Sequence, residues 1–258
     1  MPLLSLPREL LIMTAMLIKS EKDLNAYART CRLLYRNNAK EHGSFALFWG
    51  AGNGMIETVR KCLAQEADVD VRAPATSDWA AAPTMMGSAL CFAIAYGHES
   101  IAILLLENGA DVNLRDGYHR TPLRLTNGRE PLLKLLLDRG ANVNSRDEMG
   151  RSPLMTAVND GNVNSILLLL RAGARVNIKD NRGQSALFQA VERNSSIAVM
   201  KLLIDQGAKI NVVDNHGETP LSATEYHDSE KPRIRARRNL GIDLLERVNL
   251  MAEKARIN

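Results

Sequence analysis

Aromatic residues make up only 4% of this 258-residue chain, and cysteine occurs three times. So few large rings leave little bulk for a thick globular core, and thin layers of Leu and Ala must do the packing. Cys31, Cys62 and Cys91 lie far apart and are odd in number, which suggests neither a disulfide framework nor a zinc site. Each falls where a helix residue would be buried, as a small apolar filler in a reducing compartment. Leu10 to Ile18 is an apolar run of nine residues, far short of the ~20 that span a bilayer, so no membrane contact is expected. Arg8-Glu9 at its front and Lys19-Ser20-Glu21 behind it also argue against a secretory leader.

Chemistry is equally scarce. His42, His98, His119, His216 and His227 have no ligand spacing, and no Ser/His/Asp grouping or paired carboxylate motif stands out. Gly50, Gly52 and Gly54 form a glycine-rich string, but no strand precedes it, so a nucleotide loop has little support. The expectation is a protein that is not an enzyme, with no catalytic residue, no metal and no cofactor. Formal net charge is only +4, although Lys231, Arg233, Arg235, Arg237 and Arg238 place five cations within eight residues. Such a run fits a solvated segment opening a last helix, a nuclear-import signal or a phosphate-binding patch. No aromatic interleaves it, which counts against nucleic acid as a partner.

What the chain does have is repetition. Gly109-Ala110-Asp111-Val112-Asn113 returns as Gly140-Ala141-Asn142-Val143-Asn144, Gly173-Ala174-Arg175-Val176-Asn177 and Gly207-Ala208-Lys209-Ile210-Asn211, at steps of 31, 33 and 34 residues. Ahead of each block lies a Leu-rich run such as Ile103-Leu104-Leu105-Leu106. Behind each come an Asp, a polar turn and a triplet: Thr121-Pro122-Leu123, Ser152-Pro153-Leu154, Ser185-Ala186-Leu187 and Thr219-Pro220-Leu221. The Thr or Ser should cap a first helix, the Leu run should be a second helix, and the block glycine should end it in a left-handed conformation. Asp116, Asp147, Asp180 and Asp214 then begin projecting hairpins.

A period near 33 with this triplet resembles ankyrin-repeat proteins from about residue 44 to the end. The resemblance implies an all-α ankyrin-repeat solenoid over 44–258, with about six helix-turn-helix units at 44–72, 84–115, 116–147, 148–180, 181–214 and 215–258. The first unit is degenerate, because Glu66-Ala67-Asp68-Val69-Asp70 lacks the glycine. An insert occupies 73–83 and carries Trp79. The third unit is two residues short, so its first helix should end near Asn127-Gly128 and Pro131 should open the second. In its turn His119 stands where glycine is usual, which suggests a different bend. The last unit ends in a helix with Leu240, Leu244, Leu245, Val248 and Met251 as one stripe and no glycine block, as a terminal cap would.

Residues 1–42 read differently. Leu4-Ser5-Leu6-Pro7-Arg8-Glu9-Leu10-Leu11 and Thr30-Cys31-Arg32-Leu33-Leu34-Tyr35 flank two helical stretches. Together they resemble an F-box, the small helical module that docks on the adaptor of cullin–RING ubiquitin ligases. F-box modules directly before ankyrin repeats are a familiar arrangement in filamentous fungi. The resemblance implies a ubiquitin-ligase adaptor subunit as one protein partner, contacted through Leu6, Pro7, Leu10, Leu11, Leu33 and Tyr35. Where such modules usually continue with an apolar third helix, Arg36-Asn37-Asn38-Ala39-Lys40-Glu41-His42 is polar. The alternative is that these helices only cap the stack, leaving a scaffold or inhibitor.

A target protein would use positions that the repeat leaves free. At the turns these are Arg115, Tyr118 and Arg120; Arg146, Glu148, Met149 and Arg151; Lys179, Asn181, Arg182 and Gln184; and Val213, Asn215, His216 and Glu218. The first helices add Asn159, Asp160, Glu192 and Arg193, and the insert adds Trp79. The recurrence of cations at 115, 120, 146, 151, 179 and 182 suggests an acidic or phosphorylated target. The chain is expected to be a monomer on its own, in the cytoplasm, the nucleus or both.

Overall fold

The computed structural model of the chain describes residues 39–71, 87–193, 195–220 and 222, the side chains of 39–45 excepted. Among them there is no β-strand. The helices are α1 Ala39–Gly52, α2 Ile56–Leu63, α3 Ala89–Tyr96, α4 Glu99–Glu107, a 3₁₀ helix Pro122–Thr126, α5 Glu130–Asp138, α6 Pro153–Asn159, α7 Val163–Arg171, α8 Ala186–Glu192 and α9 Ile197–Asp205. The chain divides into two compact units: residues 1–126 with 138–141, and residues 127–137 with 142–258.

In the first unit α1 packs on α2, α3 on α4, and the two pairs meet through α1 with α3 and α2 with α4. Phe48 and Phe92 carry that contact, their ring centroids 6.0 Å apart. The 3₁₀ helix packs on α3. In the second unit α6 packs on α7, α8 on α9, and α6 on α8.

First and second helices are buried differently. Every residue from Ala89 to Ile94 in α3 and from Ala186 to Val191 in α8 is buried. The second helices bury one stripe at i, i+1 and i+4: Ile101, Ala102 and Leu105; Leu132, Leu133 and Leu136; Ser165, Ile166 and Leu169; Val199, Met200 and Leu203. That spacing is one face of an α-helix, and each large aliphatic side chain on it contributes about 1.5–3 kcal/mol by leaving water. The Leu runs are therefore not buried all round: Leu104 and Leu106 are half-buried.

The triplets cap as their chemistry requires. Ser88, Ser152 and Ser185 each accept a hydrogen bond on Oγ from the backbone N–H three residues on, all at 3.3 Å, and Thr219 does the same for Ser222 at 3.1 Å. The block glycines 109, 140, 173 and 207 have φ of +88, +81, +87 and +84. The third repeat accommodates its two-residue deficit by tightening its first helix to 3₁₀ and turning at Asn127 (φ +49) and Gly128 (φ +77). Its hairpin does not bend differently: His119 takes φ +58 and donates its N–H to Asp116 O at 3.0 Å, as Gly150 and Gly183 do to Asp147 and Asp180.

Candidate interaction surface

Each turn is built around one buried aspartate. In the first unit, Asp116 Oδ1 accepts the N–H groups of Tyr118 and Arg120 at 2.9 and 2.8 Å, and Oδ2 accepts Arg120 Nε at 2.7 Å. In the second unit, Asp147 accepts Arg151 N and Nε at 2.8 and 3.1 Å. Asp180 Oδ1 accepts Arg182 N and Gln184 N, both at 2.9 Å, while Oδ2 accepts Nε2 of buried Gln189 at 2.9 Å. Asp214 accepts His216 N and Glu218 N at 2.8 and 3.0 Å. A carboxylate suits this position because it offers several acceptor sites to backbone donors that the tight bend leaves unpaired.

Successive turns of the second unit are also joined to one another. Asn181 donates its N–H to Met149 O at 2.9 Å and its Nδ2–H to Glu148 O at 2.9 Å. Asn215 repeats this on Arg182 O and Asn181 O, both at 2.8 Å. Arg146 Nη2 donates to Lys179 O at 2.9 Å, and Lys179 Nζ donates to Val213 O at 2.9 Å. This close approach explains Gly150: a Cβ there would sit 2.4 Å from Asn181 Oδ1 and 2.6 Å from Arg146 Nη2.

A second set of bonds ties the blocks together. Asn144 Nδ2 donates to Gly173 O at 3.2 Å while its Oδ1 accepts Arg175 N at 2.7 Å. Asn177 does the same with Gly207 O at 2.9 Å and Lys209 N at 2.8 Å. In these two blocks the closing Asn is thus a staple to the next repeat. Its fixed place five residues into every block was the signal for this role.

Much of the cationic ladder is engaged within the fold. Arg120 and Arg151 form ion pairs at 2.7 and 3.1 Å with Asp116 and Asp147, whose side chains are 2% and 3% exposed. Arg146 and Lys179 are tied to carbonyls but still exposed. Across 146–151, 179–184 and 213–218 there are four basic side chains and five acidic ones. These turns therefore hold no excess of positive charge. Gln184 is buried and does not lie on the surface. Arg115 is exposed; Tyr118 is half-buried beneath the Arg120 guanidinium, 5.0 Å from its ring centroid.

What the turns of the second unit present to solvent is mixed. Met149 and Val213 are 59% and 47% exposed, beside exposed Glu148, Arg182, Asn181, Asn215 and His216, with Glu218 half-buried. The first helices contribute less than their sequence positions suggest, since Asn159 and Glu192 are half-buried and only Asp160 and Arg193 at their C-terminal ends are exposed. Trp79 and all six front-segment candidates, Leu6, Pro7, Leu10, Leu11, Leu33 and Tyr35, lie outside the described residues, as does the basic run 231–238.

Other chemistry-bearing groups are structural. His98 Nε2 donates to Gly52 O at 3.0 Å, pinning the second repeat to the first. Cys91 is buried, and burial pushes its thiol up to about 11, so it stays protonated and unreactive. Among the described residues no group of His, Cys, Asp or Glu is placed to hold a metal, and no helix is long and apolar enough to cross a membrane.

Comparison with protein families matches ankyrin repeats, in three copies, over residues 24–116, 90–180 and 154–229. The chain belongs to the ankyrin-repeat family. Ankyrin repeats are protein–protein interaction modules, typically without catalysis, and the turns above are their protruding parts. The match starts at residue 24, inside the segment that resembles an F-box. No curated protein matches the chain.

Proposed function

We propose that this ankyrin-repeat protein is a substrate receptor of a cullin–RING ubiquitin ligase. Residues 1–42 dock on the ligase adaptor through Leu6, Pro7, Leu10, Leu11, Leu33 and Tyr35, and the repeats hold a target for ubiquitin transfer by another subunit. The observation that carries this reading is the co-occurrence in one chain of the Leu6-Pro7 opening and the Thr30-Cys31-Arg32 to Tyr35 ending with a following array of interaction repeats. The target contacts the exposed turn residues of the fourth to sixth repeats, Glu148, Met149, Arg182, Val213 and His216, whose side chains are not consumed by the staples. Matched charge on these turns favours a target of mixed apolar and polar character over a strongly acidic one. The protein acts in the cytoplasm, the nucleus or both. The test is capture of the purified adaptor by the full chain, with binding expected for wild type and lost when Leu6 and Pro7 are both changed to Ala. No capture by wild type, or equal capture by the double variant, overturns it.

A second reading has one observation in its favour. Because the ankyrin match reaches back to residue 24, part of the front segment can be repeat material capping the stack, which would make the protein a scaffold or inhibitor. Loss of thermal stability in the Leu6/Pro7 variant without any adaptor binding by wild type would select that reading.

A further inference from the structure

Three asparagines are followed by glycine: Asn53-Gly54, Asn108-Gly109 and Asn127-Gly128. Along the chain the three pairs are chemically equivalent, and all three asparagines are exposed. The fold treats them differently. Asn108 donates its Nδ2–H to Leu104 O at 2.8 Å, and the Gly109 N–H donates to Leu106 O at 3.2 Å. Asn53 donates its Nδ2–H to Trp49 O at 2.9 Å, and a Cβ on Gly54 would sit 2.9 Å from His98 Cε1. In the third repeat neither group is tied. The Asn127 side chain and the Gly128 N–H have no hydrogen-bond partner among the described residues.

The turn at Asn127 and Gly128 is the one that absorbs the two-residue deficit of this repeat, with both residues at positive φ. It is held through the glycine carbonyl: Gly128 O accepts Asn162 Nδ2 at 3.0 Å. Asn162 uses its other atom, Oδ1, to cap α7 by accepting Ser165 N at 2.9 Å. One side chain of the fourth repeat therefore restrains the turn of the third.

We propose that Asn127 is a site of spontaneous deamidation and isoaspartate formation, restrained by Asn162. The Gly128 amide nitrogen, having given its proton to base, attacks Cγ of Asn127. The N–Cγ bond forms, the Cγ–Nδ2 bond breaks and ammonia leaves with a proton from water, closing a succinimide ring. Water then opens the ring at either carbonyl, leaving an aspartate or an isoaspartyl link at 127. The attack needs an untied glycine N–H, an untied side-chain amide and a local opening of the turn, and this pair supplies the first two. For the third, the bond from Asn162 to Gly128 O has to break. The isoaspartyl product carries the main chain through the side-chain carbon, lengthening it just ahead of α5 in the turn that the short repeat depends on.

The test is incubation of the full-length chain at pH 8 and 37 °C, in buffer and in guanidinium chloride, with amide-to-acid conversion followed by peptide mapping and mass spectrometry. In the folded chain Asn127 should convert fastest, about five-fold ahead of Asn108, the effect of one net hydrogen bond between two ties and one. In denaturant the three rates should draw together, because each site is then simply Asn-Gly. Asn162→Ser keeps a capping oxygen for α7 but has no Nδ2. It should raise the Asn127 rate about five-fold further and leave Asn108 unchanged, which separates local release from general unfolding. An Asn108 rate in the folded chain equal to or above that of Asn127 would overturn the proposal. So would a ratio that survives in denaturant, or an Asn162→Ser variant that speeds both sites alike or neither.

Discussion

In the fourth repeat the second helix ends on Gly173 at φ +87, and the block closes with an Asn that grips the fifth repeat at two points. In the first repeat the corresponding residues are Glu66, forced to φ +57, and Asp70, which grips the second at one. The helices differ less: α2 buries Thr58, Val59 and Cys62, and α7 buries Ser165, Ile166 and Leu169, the same i, i+1, i+4 stripe. Apolar spacing alone is therefore enough to make a repeat of this kind. The polar letters decide how firmly it is joined to its neighbour, which is the behaviour expected of a stack whose stability is a sum of units and interfaces.

The comparison breaks most visibly where a turn loses its aspartate. Asp180→Ala strands the amides of Arg182 and Gln184 and one end of buried Gln189, and should cost about 3 kcal/mol in urea-unfolding midpoint analysis. A smaller contrast separates the staples. Asn144→Ala should cost about 1.5 kcal/mol, and Asp70→Ala under about 0.5 kcal/mol, in the same measurement at pH 7. If the two cost the same, the one-point account of Asp70 is wrong. Smaller again, Glu66→Gly and His119→Gly should each stabilise by about 1 kcal/mol, because both residues are held in the left-handed region that glycine enters freely. Finally, Cys91, buried with its thiol pushed up to about 11, should resist iodoacetamide in the folded chain at pH 8 and react within minutes in urea.

The repeat period, the caps and the shortened third unit were legible because each rests on local chemistry. Ser152 and Ser185 announce helix starts, and a two-residue deficit between Thr121 and Gly140 has to be taken out of a helix. His119 was harder to read, since nothing in its neighbours says whether a turn will bend elsewhere or strain one residue to keep its shape. The turn surface was the least legible part. Arg120 and Arg151 look like free cations along the chain, and only the fold brings each guanidinium back onto the aspartate four residues earlier. The same holds for the bonds that Arg146 Nη2 and Lys179 Nζ make to carbonyls 33 and 34 residues away. Exposure of Met149 and Val213 was visible as position, but their prominence emerged only once the charged neighbours were tied down.

The central claim is that some turn residues hold the array together while others, a few positions away, are left for recognition. Side-by-side urea unfolding of Arg151→Ala and Arg182→Ala tests it most directly. Arg151→Ala should cost about 1–2 kcal/mol by leaving Asp147 Oδ2 buried without its guanidinium, and Arg182→Ala should stay within about 0.5 kcal/mol of wild type. Equal losses at the two positions would contradict the division between structural and free cations.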